Sequence, residues 1–598
     1  MKIRSSVIGI SCFFSICLFA DDYVFVTAEK LDSSQWGNAH ATSVLRPADD
    51  SQNSLNDILS SVPGVYATGA QNPRAVNNIF LRGSESHHTL VLIDGLEISD
   101  PSTPKRTIDT ANTSLGGIER AEILRGGQSV LFGSNAVGGV INLLTDSSEK
   151  QGKTLSAGYG NAKEHLLRYK QQTKVGNWKY YGMLEKKGDQ GISDAADSSK
   201  TNDRDGYSLL TFHGGVKGEL TSNQHLEFAA RYEDSKKDTD AGAASDDPRG
   251  KSKSQNLYTR LGHSYFFETL PLELNSSFAF TDHKRQIVSS TLSESKYQGG
   301  FSKLGFQGNY FWDKKNASTL GLEGKREEDR SPSVNRKKSQ LETKGLWMNH
   351  HFEISKFFIS TGLRYEEDDI SPDRTTYRVA PGVRLPFWDL TLRGAASTSF
   401  IAPTLSMLYD STYGNESMKA EKSKQWEIGL AHPYATLNYF QTRITDRFSY
   451  DPVTYVNLNA GKAEINGVEG EAHTDKVKGF SLKTSATRLY TKDLTTGKEL
   501  TRRPRFTSAV TLDHEYYLFK SAVEFRYVGT RDDVKAGSLT SEKMRMASYH
   551  LINLSLAWKK KELALWGKLT NLLDRHYQEF DGYNTPGRQL MAGLDWNF

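Results

Sequence analysis

Cysteine is almost absent. The 598-residue chain has two, Cys12 and Cys17, both within the first 20 residues. The remainder therefore has no disulfide, no thiolate nucleophile and no cysteine metal site. Nor is one sign of charge in excess: 75 Lys and Arg stand against 71 Asp and Glu, a net charge of +4. That excludes the basic field of a nucleic-acid-binding chain. Beyond the N-terminus no apolar run reaches the about 20 residues of a transmembrane helix. No Ser/His/Asp grouping and no paired catalytic carboxylates emerge, so the chain does not read as an enzyme and calls for no redox cofactor.

What is present begins with an export signal. Met1–Ala20 has Lys2 and Arg4, an apolar stretch from Val7 to Phe19, and Ala20 ahead of Asp21-Asp22. This is a secretory signal peptide with cleavage after Ala20; its apolar stretch is too short for an anchor. Asp22–Lys30 (D-Y-V-F-V-T-A-E-K) is extended-prone, and reads either as a first strand or as a free strand offered to a partner's sheet edge. Ser54–Ser61 predicts a short helix with Ser54 as N-cap, ended by Pro63-Gly64. Val65–Asn78 and Ile98–Thr113 read as polar loops. Ile79–Thr145 is a glycine-rich α/β unit with strands at Thr89–Ile93 and Val140–Leu144 and a hairpin signal at Asp94-Gly95.

From about Lys150 the texture changes to segments of 8–11 residues that alternate apolar and polar. Val523, Phe525 and Tyr527 oppose Glu524 and Arg526; Leu590, Leu594, Trp596 and Phe598 oppose Asp595 and Asn597. Period two with one apolar face is a half-buried strand. With the export signal, aromatics near strand ends, and short connectors alternating with long ones, the pattern fits a transmembrane barrel better than a soluble sandwich. A barrel also leaves no strand edge unpaired in lipid. The 451 residues from 148 to 598, at roughly 20 per strand and connector, allow about 22 strands. The expected class is thus membrane all-β: a 22-stranded antiparallel transmembrane β-barrel with an N-terminal α/β plug domain inside the lumen. Residues 1–20 are the signal peptide, 21–147 the plug domain with its leading segment, and 148–598 the barrel.

These residues resemble the TonB-dependent outer-membrane receptors, most closely those for vitamin B12. In the plug the matching pieces are Leu59–Val65, Phe80–Gly83, Leu90–Gly95 and Val130–Thr145. In the barrel they are Phe400–Pro403 (F-I-A-P), Glu421–Gly429 (E-K-S-K-Q-W-E-I-G), Asn459–Glu469, Asn571–Tyr577, Gly582–Arg588 and the terminal Phe598. Gly127 departs from the plug pattern, which usually has proline there. The resemblance implies a monomer in the outer membrane of a Gram-negative bacterium, crossing it many times and importing a large scarce nutrient. The substrate it implies is cobalamin or another corrinoid; a ferric siderophore or heme is the alternative. A non-transporting surface binding protein or phage receptor is a reading from a different class.

The same resemblance assigns roles. Asp22, Tyr23, Val24, Phe25, Val26, Thr27 and Ala28 would form the Ton box, the segment that pairs with TonB, which works with ExbB–ExbD. Arg82 and Arg125 would face the barrel wall, where a buried arginine needs a carboxylate. Asp203, Asp205, Asp234 and Asp240, with Asp194 or Ser193, would hold calcium, a hard cation that takes six to eight oxygens; on composition alone these are solvated acidic loops. Substrate would meet the upper plug loops through Thr68, Asn72, Arg74, Asn77, Ser99, Asp100 and Ser102. His87-His88 reads as a turn position or a heme ligand pair, and no His lies between Pro403 and Ser417, where heme receptors tend to carry one.

Overall fold

A computed structural model describes residues 41–46, 54–69, 77–110, 113–145, 151–196, 204–289, 294–369, 374–451, 453–538 and 542–598. The expected signal peptide, the segment Asp22–Ala28 expected to form the Ton box, and Asn72, Arg74 and Asp203 lie outside the described residues.

The N-terminal unit is a mixed sheet with short helices. Its strands are β1 (Thr42–Leu45), β2 (Val65–Ala67), β3 (Ile79–Leu81), β4 (Thr89–Ile93), β5 (Leu96–Glu97), β6 (Ile118–Arg125) and β7 (Gly139–Thr145). The central sheet runs β1-β6-β7-β4-β5, with β4 and β7 parallel. Asp94 and Gly95 both take positive φ, at 49° and 76°, and turn β4 into β5. Helix α1 (Leu55–Leu59) opens on a capping box: Ser54 Oγ accepts the Asp57 amide, and the Asp57 carboxylate accepts the Ser54 amide, each at 3.1 Å. Its Leu55 and Leu59 pack with Val91, Ile93, Ile123 and Ile141, against Tyr258 and Phe301 of the wall. One sequence expectation is corrected here. Val65–Asn78 is not all loop, because β2 pairs with β3, Tyr66 opposite Phe80.

The wall is a closed antiparallel barrel of 22 strands. Its first strand, Gly152–Gly160, pairs with its last, Gln589–Asn597, so no edge remains. Alternation sets each face. On Glu421–His432, Glu421, Ser423 and Gln425 turn inward and are buried, while Trp426, Ile428 and Leu430 are exposed outward. Strands run from 8 residues (Leu563–Thr570) to 17 (Leu272–Val288). Crossing a bilayer takes about 9–11 tilted residues, so the long strands extend beyond the apolar band and carry the long connectors. At the short-turn end Phe387, Trp388, Tyr516 and Tyr517 are exposed, as in an aromatic girdle. There plug and wall also leave a cavity of about 850 Å³, beside Asp94, Arg120, Lys179, Lys217 and Arg260. Among the described residues no helix is long and apolar enough to cross a membrane.

Candidate functional site: the plug–wall interface and its outer mouth

The plug is held by ion pairs rather than by apolar packing alone. Arg82 follows β3 with φ of 50°, a left-handed conformation that directs its side chain to the wall. Its guanidinium lies 2.5 Å from Glu427 and 2.6 Å from Glu469, over the Phe440 ring at 4.5 Å. Arg125, at the end of β6, lies 3.4 Å from Glu469 and 3.5 Å from Glu471, and donates to the Pro63 carbonyl at 2.9 Å. Two close approaches bring the backbone to this lock. A Cβ on Gly64 would sit 2.3 Å from Glu469 Oε2. The Gly127 amide donates to Gln425 Oε1 at 2.6 Å, and a Cβ there would meet Ser399 and Ser397 hydroxyls at 2.6 and 2.7 Å. Arg106 with Glu327 at 2.8 Å and Arg526 with Asp57 at 3.6 Å fasten other sides.

At the outer mouth, Glu85 sits 2.8 Å from Arg503 and 3.1 Å from Arg447. Burial alone would raise this carboxyl, but Arg503, with Lys105, His87 and Arg447, holds it well below the usual range. The described residues of the expected substrate set are largely committed within the plug. Thr68 is buried and its hydroxyl accepts the Asn78 amide at 3.1 Å; Asn77 is also buried. Ser99 donates to Glu97. Asp100 accepts from Ser102 at 2.7 Å and meets Arg285 at 3.1 Å. Just past β2 the chain is clasped from the wall, where Glu579 accepts the Gly69 amide. Burial pushes the Glu579 carboxyl up to about 7, against the Gly69 hydrogen bond and Arg531.

The acidic connectors converge in part. Asp205 accepts the Asp194 amide at 2.6 Å, Asp240 accepts the adjacent Ala195 amide, and the Asn584 side chain donates to the Ser193 and Ala195 carbonyls at 3.1 and 2.9 Å. Asp194, Asp205 and Asp240 therefore gather around the segment 193–196. Asp234 does not join them. It lies on the opposite strand face from Glu233, with Gln255 donating to it at 3.1 Å. Among the described residues these acids do not bring three ligand oxygens to one point; the group that does converge is His87, His88 and Glu421. Both imidazoles are buried against that wall carboxylate, which leaves no open face for a macrocycle.

Sequence reading missed the wall partners Glu427 and Glu469, the Glu85–Arg503–Arg447 cluster and Glu579. The first two were within reach. Both stand in quoted motifs, and period two places Glu427 on the same face as Glu421 and Gln425.

A closed 22-strand wall filled by an N-terminal plug defines a plugged outer-membrane receptor. Residues 149–572 match the family described as TonB dependent receptor-like, beta-barrel, and residues 39–140 match the TonB-dependent Receptor Plug Domain. The chain belongs to the TonB-dependent receptor family, and its fold is that of a Gram-negative outer-membrane protein. Solved structures similar to it include the siderophore receptor PirA from Acinetobacter baumannii, at 17% identity and TM-score 0.81, over 96% of this chain and 100% of that one. The ferric enterobactin receptor PfeA from Pseudomonas aeruginosa, in complex with enterobactin, is 19% identical with TM-score 0.79, over 94% and 100%. FpvA from P. aeruginosa, bound to heterologous pyoverdines, is 15% identical with TM-score 0.78, over 94% and 86%.

Proposed function

We propose that the chain actively imports a large metal chelate across the outer membrane, a ferric siderophore before a corrinoid. The observation that carries the import reading is the locked plug. The lumen is filled, and Arg82 and Arg125 tie the filling to three wall glutamates. Such a barrel is not a passive pore; opening it takes work supplied from outside the domain. TonB with ExbB–ExbD is the proposed source, acting on Asp22–Ala28. The siderophore reading is supported by what the similar structures bind, namely enterobactin in PfeA and pyoverdines in FpvA. Cobalamin is the second reading, supported by the order of plug and barrel motifs. Binding would take place on the upper plug loops with the outer connectors. Displacement would begin beside the cavity under Asp94, where plug and wall are already apart. Calcium at Asp194, Asp203, Asp205 and Asp240, without Asp234, is a further proposal resting on the family resemblance; calcium binding by calorimetry that is lost on adding chelator would support it, and no calcium binding would refute it.

The experiment is a proline in the proposed Ton box. Val24→Pro or Val26→Pro removes a ladder donor from a strand that must pair. Substrate binding should survive and uptake should fall to background. Normal uptake in either variant would show that this segment does not couple the receptor to energy.

A further inference from the structure

Glu327, Glu427 and Glu469 are wall glutamates buried against the plug, and each faces an arginine. Glu421, 2% exposed, faces imidazoles instead. Its Oε1 accepts the Phe448 amide at 2.7 Å, and its Oε2 lies 2.8 Å from His88 Nε2 and 3.2 Å from His87 Nε2. We propose that His87, His88 and Glu421 form a binding site for a divalent transition metal of the zinc class, which staples the plug to the wall.

Geometry and chemistry agree. Four-coordinate zinc with bonds of about 2.0–2.1 Å has ligand-to-ligand edges of roughly 3.3 Å. The two imidazole nitrogens lie 2.8 and 3.2 Å from the carboxylate oxygen, and the three ligand atoms are all within 4.8 Å of one another, so closing the remaining edge takes a ring movement of up to about 1.5 Å. Two imidazoles and one carboxylate suit zinc, nickel or copper and not calcium or magnesium. A divalent ion would also supply the positive charge that this buried carboxylate, alone among those four, does not receive from an arginine. The ligands are oriented by their surroundings. The Phe448 amide holds Glu421; the His87 ring stacks on Phe448 at 6.2 Å and meets His88 edge-on at 4.3 Å. His87 also lines a cavity of about 20 Å³, which admits one water. One contact must give way. The Glu85 amide donates to His88 Nδ1 at 3.3 Å, and metal at Nε2 moves the ring proton to Nδ1. The alternative is therefore a metal-free triad held by hydrogen bonds alone. Because two ligands come from the plug and one from the wall, metal would bind only the assembled receptor.

The test uses the purified mature receptor in detergent, stripped with chelator, then titrated with zinc by calorimetry and with cobalt(II) by visible absorption. The proposal expects one equivalent of zinc and the intense d–d absorption of four-coordinate cobalt, displaced by zinc. Glu421→Gln and His87→Phe, the latter keeping the ring against Phe448, should each weaken binding on the order of 100-fold and erase the cobalt spectrum; heat-modifiable gel migration reports that each is folded. No metal uptake by the wild-type receptor, or equal uptake with an unchanged spectrum in a folded variant, overturns the site. Neither titration involves the substrate, so the outcome is separate from the import reading.

Discussion

At the scale of single residues, the lock turns on one carboxylate shared by two buried arginines. Glu469 serves both Arg82 and Arg125 and is fully buried. Removing one partner of a buried pair leaves an uncompensated charge, at a cost of about 3–5 kcal/mol. Arg82 keeps Glu427 and Arg125 keeps Glu471, so Glu469→Ala should loosen plug docking by no more than that, read as a lower denaturant midpoint for protease access to the plug while the barrel stays folded. Gly127 makes a subtler case. A proline there would have no amide for Gln425, and its ring carbons would enter the space of Ser397 and Ser399. Gly127→Pro should weaken docking by about 1–3 kcal/mol, the cost of an unsatisfied buried acceptor, in the same assay. The departure from the family pattern at this position is thus matched by the wall it touches. The arginines could be read from the sequence, but their partners lie more than 340 positions away, and no local pattern carries a contact of that range.

At the scale of elements, the strongest signals were those with strict period or strict turn chemistry. The strands near residues 523–527 and 590–598 show the expected alternation, with Arg526 turned in to Asp57 and Leu594, Trp596 and Phe598 exposed. The β2–β3 hairpin went unread because three residues are too few to show a period. Strand lengths beyond 11 were also illegible, since polar residues continue a strand past the bilayer without apolar alternation. The clasp between Glu579 and the upper plug loop gives a pH prediction. Burial raises this carboxyl from 4.5 to about 7. A raised carboxyl contributes stability that is complete below the unfolded value and lost as pH rises through the folded value. From pH 5 to 8 the connector 571–588, between the last two barrel strands, should become easier to cleave or exchange, and Glu579→Gln should flatten that dependence. Hydrogen exchange corrected for intrinsic rates measures both; an unchanged slope in the variant would place the pH response elsewhere.

At the scale of the whole molecule, barrel and plug are two solutions to one constraint. Lipid demands a closed wall; closure at 22 strands leaves a lumen that must be filled. It is filled by a unit whose strands pair in sheets of their own, joined to the wall by salt bridges, hydrogen bonds and some apolar packing rather than by strand pairing. The outline of this design was legible because the alternation, the expected export signal and the glycine-rich unit all point to it. The substrate was not, since the outer connectors carry polar residues whose partners are set by the fold. Active import is decided by uptake into intact cells producing the receptor, with and without TonB, of a radio-iron-labelled catecholate siderophore beside radio-cobalt cobalamin. A receptor that imports actively should accumulate the iron chelate only when TonB is present. Accumulation that is equal without TonB, or receptor-dependent binding of both chelates with import of neither, would contradict active import.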